Sequence, residues 1–266
     1  MKKKEQDIRC FWDEQAKKFK GSDLATAPDT YYRQLEIERI AGYLKDGAEI
    51  LDVGCGNGFS TIKFAEQFPH STFIGLDYSK DLIHFAEKNL ASQKPSVKKR
   101  MGFIEGDILA LDEVAKLRGK KFDYIVSERC LINLLNWRQQ SQALLSLKKY
   151  LKKSGRIVLC ENTQEGLFRL NVLRKILELP EIKVRWHNYY MPQDKLLRFA
   201  QEHFILEETK NIGSLYYIIS RVVYAALCAA KNQEPKYLHP INEIASKLPS
   251  LGDYSPNYVF LLKNKP

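Results

Sequence analysis

The chain holds 266 residues, 44% hydrophobic and 28% charged, with 42 Lys and Arg against 32 Asp and Glu for a formal charge of +10. That length suits one large domain or a core with a cap, and 11% aromatic content in regular apolar runs argues against disorder. The most apolar stretch, 215–230, is too short for a membrane span and carries Arg221 in its middle, and no apolar segment follows the opening MKKK, so the expectation is a soluble, cytoplasmic protein with no membrane partner.

In chain order, residues 8–19 have apolar positions at helical spacing, and 31–44 form a second amphipathic helix with Leu35, Ile37, Ile40 and Leu44 on its buried face. After Lys45-Asp46-Gly47 the texture changes to short apolar runs alternating with helices. Strands are predicted over 48–53, 72–76, 101–105, 124–126 and 157–160. Helices are predicted over 59–68, over 81–90 with Ser79 opening it, and over 138–151, ended by Ser154-Gly155. Such alternation implies a parallel sheet covered on both faces. Beyond Glu161 come helices at 167–177, 194–203, 215–230 and 241–248, strands at 204–208 and 258–262, and the aromatic connector KVRWHNYYM at 183–191. No repeat or low-complexity linker divides the chain, which predicts one structural domain.

Cys10, Cys55, Cys130, Cys160 and Cys228 are odd in number and contain no CxxC pair, which fits neither a disulfide framework nor a zinc site. The five histidines also lack metal-ligand spacing, so no metal is expected. Basic tracts at Lys2–Lys4, Lys98–Arg100 and Lys148–Lys153 lie apart, which reads as a lysine-rich surface rather than a nucleic-acid stripe.

The informative segment is Ile50-Leu51-Asp52-Val53-Gly54-Cys55-Gly56-Asn57-Gly58. It follows a strand and opens a helix, at the carboxyl edge where open α/β sheets bind ligands. Its glycines permit a tight turn and close approach to the backbone. A dinucleotide fold needs a third glycine at position 59, where this chain has Phe59. Asp52, two residues before the first glycine, suits a ligand with an ammonium group better than a pyrophosphate.

Asp52-x-Gly54-x-Gly56-x-Gly58 resembles the first motif of the class I S-adenosylmethionine-dependent methyltransferases, and the resemblance continues through the strand ends of residues 47–161. It implies an α/β fold with an open, seven-stranded, mostly parallel Rossmann-like sheet. Helices cover both faces, with a helical cap (1–46) over the cofactor and a third segment (162–266) carrying lid insertions after strands five and six plus the last two strands. It further implies that Gly54, Cys55, Gly56 and Gly58 cradle S-adenosyl-L-methionine, whose product is S-adenosyl-L-homocysteine. Asp77, next to Tyr78, takes the ribose hydroxyls. Asp107 and Ile108 meet the adenine, and Ser127 and Arg129 line the methionine end. Trp12, Tyr32 and Arg33 resemble segments that small-molecule members fold over the cofactor, with Tyr32 and Arg33 at the methionyl carboxylate.

After the fourth strand, Ser127-Glu128-Arg129-Cys130-Leu131 contains no proline, unlike members that methylate nucleobase or glutamine amides. The lid is dense in aromatic and polar residues, and Trp186, His187, Tyr190, Tyr217, Arg221 and Tyr224 are the candidate substrate residues. On a regular helix Tyr217, Arg221 and Tyr224 share a face. Arg221 then either anchors a substrate carboxylate or phosphate or pairs with a lid acid such as Glu161 or Glu165. His187 is the one candidate general base, with a structural role as its alternative. The expectation is methylation of an O or N atom on a small polar, anionic metabolite. The lid loosely resembles that of methyltransferases from bacterial carbohydrate and cell-surface biosynthesis. The alternative is an RNA or protein methyltransferase, for which only the charge speaks.

Overall fold

The computed structural model describes residues 2–265, so Met1 and Pro266, the ends of the expected cap and lid segments, lie outside the description. Seven strands form one sheet: β1 (Glu49–Val53), β2 (Thr72–Asp77), β3 (Met101–Glu105), β4 (Phe122–Glu128), β5 (Leu151–Asn162), β6 (Phe204–Asn211) and β7 (Asn257–Asn264). Their order is β3-β2-β1-β4-β5-β7-β6. All pairs from β3 to β5 are parallel, while β7 runs antiparallel to both β5 and β6. The order reverses between β1 and β4, which opens a crevice at their carboxyl ends.

Strand periodicity explains why both faces are covered. Leu51, Val53, Ile125, Ile157 and Leu159 enter one core, and Ile50, Tyr124, Val126, Val158 and Cys160 enter the other. The helices that cover them are α1 (Lys2–Phe19), α2 (Thr30–Ala41), α3 (Phe59–Gln67), α4 (Lys80–Ala91), the single turn α5 (Pro95–Lys98) and α6 (Trp137–Lys148), followed by α7 (Gln164–Ile176) and α8 (Gln193–His203). Side chains start several of them: Asp29 caps α2 through Tyr32 N, Ser79 caps α4 through Leu82 N, and Thr163 caps α7 through Gly166 N. Between β6 and β7 lie α9 (Ser214–Tyr217), a π-helical turn (Ile218–Val223), α10 (Tyr224–Ala229) and α11 (Pro240–Ser246).

Several elements differ from their sequence expectation: the first helix begins at Lys2 instead of residue 8, and β6 runs on to Asn211. The fifth strand begins at Leu151, because the chain pairs with β4 through an irregular register between Phe122 and Tyr124 that carries Ser154-Gly155 inside the strand. The single helix expected over 215–230 is broken by the π turn, in which hydrogen bonds reach one residue further and the side-chain faces rotate. Among the described residues no helix is long and apolar enough to cross a membrane.

Candidate functional site

The crevice at the β1/β4 reversal holds a cavity of about 370 Å³, walled by the sheet edge on one side and by α1, α2 and the lid segments on the other. Its sheet-edge wall is set by backbone geometry. Gly54 N and Cys55 N donate to Leu76 O at 2.7 and 3.1 Å, folding the glycine loop back over the end of β2. Gly54 has φ +69°, and a Cβ there would lie 2.5 Å from Cys130 Sγ, so the close approach of the β4 loop demands glycine. Gly56 has φ +56°, and its Cβ would sit 2.8 Å from Thr26 Cγ2 in the cap.

Three acids line this wall. The Asp77 carboxylate accepts from Gly56 N and Ser79 N, both at 2.9 Å, and burial pushes it up to about 6 against those bonds. Asp52 accepts from Thr61 Oγ1 at 2.5 Å, and burial pushes it up to about 7. Asp107 caps the turn at Ile108–Glu113 through Leu109 N, 2.9 Å away, and pairs with Arg9, whose guanidinium lies 4.6 Å above the Tyr78 ring. The N-terminal helix thus closes this end of the cavity.

The β4 loop beneath is held by two acids: Glu161, expected only as an alternative partner of Arg221, and Glu36, which sequence reasoning did not single out. Glu161, at the end of β5, accepts from Ser127 Oγ (2.7 Å), Cys130 N (2.9 Å), Leu131 N (2.8 Å) and Ile132 N (3.3 Å). Glu36, fully buried on α2, lies 3.0 Å from Arg129 Nε and accepts from Asn257 Nδ2 at 2.8 Å. Burial pushes the Glu36 carboxyl up to about 8, with Arg129 pulling the other way. Arg129 itself takes the left-handed φ of +53° at the strand end. The signal for Glu36 was a charged residue between Tyr32 and Ile40, at four-residue spacing along a buried helix face.

Across the cavity, Trp12 Nε1 donates to Asn133 Oδ1 at 3.1 Å, and Phe11 stacks on His187 with centroids 4.3 Å apart. Burial, helped by Arg185, lowers His187 to about 4, so the imidazole is neutral near pH 7 and a weak base. Arg33 bonds Thr26 and lies 5.2 Å over the Phe59 ring. Tyr32 reaches the cavity, but its hydroxyl bonds Ile212 O and Ser255 Oγ, each at 3.2 Å, and so points into the core instead of toward a ligand carboxylate.

Of the candidate residues, Trp12, Tyr32, Arg33, Asp52, Gly54, Cys55, Gly56, Asp77, Tyr78, Asp107, Ile108 and Arg129 line the cavity, as do His187, Tyr190, Tyr217 and Arg221. Four are set back from it. Gly58 packs on the Phe103 ring, and the Ser127 hydroxyl is turned to Glu161. Trp186 lies outside, 53% exposed, edge-on to Phe11. Tyr224 is rotated away by the π turn and stacks on His239 at 4.4 Å. Arg221 pairs with neither Glu161 nor Glu165. Its partner is Asp29, in the loop before α2, and the Tyr216 hydroxyl donates to the other Asp29 oxygen at 2.6 Å. The rings of Tyr216, Tyr217 and Tyr237 flank the guanidinium at 4.8–5.7 Å. The cations that line the cavity without an ion pair among the described residues are Lys183 and Arg185.

The sheet order and the glycine loop with acids at three strand ends define a nucleotide-type α/β site. A methyltransferase-domain family model matches residues 44–243. The chain belongs to that family, as a class I, Rossmann-like S-adenosylmethionine-dependent methyltransferase. An uncharacterized protein of Rickettsia prowazekii is 30% identical over 213 residues, 76% of this chain and 80% of that one. A malonyl-[acyl-carrier protein] O-methyltransferase of Halalkalibacterium halodurans is 34% identical over 107 residues, which span only 40% of this chain and 36% of that enzyme. The N-methyltransferase NodS of Bradyrhizobium japonicum, solved with S-adenosyl-L-homocysteine, shares the fold at TM-score 0.59 and 13% identity, over 96% of this chain and 99% of that one.

The residues present fit the cofactor of this family. Gly54 and Gly56 bring bare backbone to the cavity wall, packed so closely on Cys130 and Thr26 that no side chain fits, beside a buried acceptor in Asp77. Among the described residues no three His, Cys, Asp or Glu side chains are grouped as metal ligands.

Proposed function

We propose that the protein is a cytoplasmic enzyme that methylates an O or N atom of a small polar metabolite bearing an anionic group. The observation that carries this reading is the cavity itself: it runs from the glycine loop into a space of mixed polarity, with Lys183 and Arg185, which have no ion pair among the described residues, on its lid side. S-adenosylmethionine supplies a methyl group already activated on a sulfonium, so the protein needs to bind, orient and exclude water rather than create a reactive group.

In this reading Asp77 accepts from the ribose hydroxyls, the turn at Asp107-Ile108 receives the adenine, and Asp52 faces the methionyl ammonium across the glycine loop. Arg33 and Arg129 flank the methionyl end. Tyr190 and Tyr217 wall the acceptor side against water. Lys183 and Arg185 take the substrate anion in place of Arg221, whose charge Asp29 already neutralises. His187 shapes the wall without taking a proton, because its lowered pKa leaves little driving force.

The test supplies the enzyme with methyl-labelled S-adenosylmethionine and a bacterial extract, then separates small molecules, RNA and protein. Label in the small-molecule fraction that is retained on an anion exchanger is the expected result. Label confined to RNA or protein overturns the small-molecule reading and leaves methyl transfer standing.

A further inference from the structure

Helix α7 is apolar on both sides. Leu167 and Leu170 face the cavity and core, while Phe168, Val172 and Ile176 form an i, i+4, i+8 row that is 69, 44 and 70% exposed. The exposed row is separate from the buried one and runs for about 12 Å along the surface. It does not stand alone. The connector after α7 continues Lys183-Val184-Arg185-Trp186, four exposed residues in which cations alternate with apolar side chains. Arg174 ties α7 to the neighbouring π turn through Arg221 O, and Val223 at the end of that turn and Leu227 in α10, four residues apart, are 43 and 54% exposed.

Charge decides what can cover this face. Lys175, Lys183 and Arg185 are exposed beside the row and have no ion pair among the described residues, in a chain whose formal charge is +10. Glu178 and Glu181 are the acids nearby in sequence. A second copy seated on the same face would bring Lys175, Lys183 and Arg185 of both copies together against only Glu178 and Glu181 of each, a net like charge that opposes self-association. The exposed row and connector combine apolar side chains, a tryptophan and cations, the composition that seats a surface at a bilayer boundary. Anionic head groups meet lysines and arginines while apolar side chains and a tryptophan enter the boundary region.

We propose that the outer face of α7 and the 183–186 connector dock on an anionic membrane surface, a peripheral contact the sequence did not suggest. The same connector lines the cavity through Lys183 and Arg185, so docking would set the cavity's lid side against the head groups. The contact shares Lys183 and Arg185 with the proposed anion site, but its test reads vesicle binding through α7 and uses no acceptor.

The full chain would be floated with vesicles of phosphatidylcholine alone and of phosphatidylcholine with roughly one third phosphatidylglycerol. Binding at least ~10-fold stronger on the anionic vesicles, weakened by salt and accompanied by a blue shift of Trp186 emission, is expected. Phe168→Ser with Ile176→Ser should lower it ~10-fold or more, and Lys175→Glu by a smaller factor, with melting temperature and S-adenosylhomocysteine affinity unchanged. Equal partition onto both vesicle types, or binding indifferent to the double substitution, overturns the proposal. So does a dimer in sedimentation velocity that the double substitution dissolves, which would assign the face to a second copy. Pull-down of an acidic protein by the wild type, without vesicle binding, would overturn it equally.

Discussion

The sheet-edge wall of the cavity and the lid wall opposite it are held by different kinds of contact. At the sheet edge the loops are fixed through their backbone: Gly54 N and Cys55 N donate to Leu76 O, Gly56 N donates to Asp77, and the β4-loop amides donate to Glu161. On the lid side the wall depends on side chains brought together from distant segments. Asp29 meets Arg221 and Tyr216, and Phe11 and Trp12 meet His187. Parting the first wall breaks the backbone bonds that fold its loops onto the sheet, whereas parting the second breaks side-chain ion pairs, hydrogen bonds and ring contacts. The lid side is therefore the less costly to open, as expected where loops carry function on a rigid scaffold.

The largest expected effect lies at the Asp29–Arg221 pair, whose side chains are 12 and 17% exposed. Asp29→Ala removes the α2 cap, the Tyr216 bond and the only carboxylate facing Arg221 among the described residues. Breaking a buried pair from one side costs roughly 3–5 kcal/mol, or about 10 °C of melting temperature for a chain of this size. Arg221→Gln leaves the cap and the Tyr216 bond in place and should cost less, roughly 1–3 kcal/mol. Adding it to Asp29→Asn should restore part of the loss, since the two sites share one interaction. Additive losses in thermal unfolding would show that the lid wall does not rest on this pair.

At the sheet edge the expected effect falls on ligand binding. Gly56→Val forces a branched side chain into a left-handed backbone and against Thr26. It should weaken S-adenosylhomocysteine binding by about 100-fold in calorimetry, an estimate that combines roughly 1–2 kcal/mol of backbone strain with loss of the cradle. Asp77→Ala should cost roughly 1–3 kcal/mol of binding through unpaired hydroxyls. If both variants bind as tightly as wild type, the assignment of this wall to the cofactor is wrong.

The same contrast explains what was legible in the sequence. The strands of the parallel core, the glycine turn and the acids at the strand ends follow from short-range rules, whereas the strand order was not read from the sequence and comes from the fold. The π turn does not follow from those rules either, because a register shift inside an apolar helix leaves no mark in residue spacing, and Tyr224 was therefore assigned to the wrong face. Nor does the partner of Arg221, since Asp29 lies 192 residues away in sequence. Its own local signal, an aspartate just before a helix, reads only as a cap. Glu36 was hidden for a related reason: a lone acid in an amphipathic helix is ordinarily solvated, and only the fold brings Arg129 and Asn257 to it.

The smallest expected effect is on how stability varies with pH, and it separates the two walls by window. Burial raises Asp77 to about 6, Asp52 and Glu161 to about 7 and Glu36 to about 8. Each folded-state value lies above the unfolded one, near 4 for a carboxyl, so the folded chain binds more protons than the unfolded chain in between. The stability these groups contribute is complete below about pH 4 and is lost as pH rises through their folded values. Carboxyls shifted the other way, such as Asp123 beside Glu49 N and Lys152, act only as pH falls toward and below 4 and so bound the acid side. Melting temperature should therefore peak at mildly acidic pH and decline toward pH 8.5. Asp77→Asn should flatten the early part of that decline, around pH 5–6, because the sheet-edge acid is the first to ionise. Glu36→Gln should flatten the late part, around pH 7–8, because the acid on α2 is the last. A melting temperature that instead rises from pH 5 to 8 would mean that Arg129 and the backbone amides hold these carboxyls ionised, and that the cavity wall is already charged throughout that range.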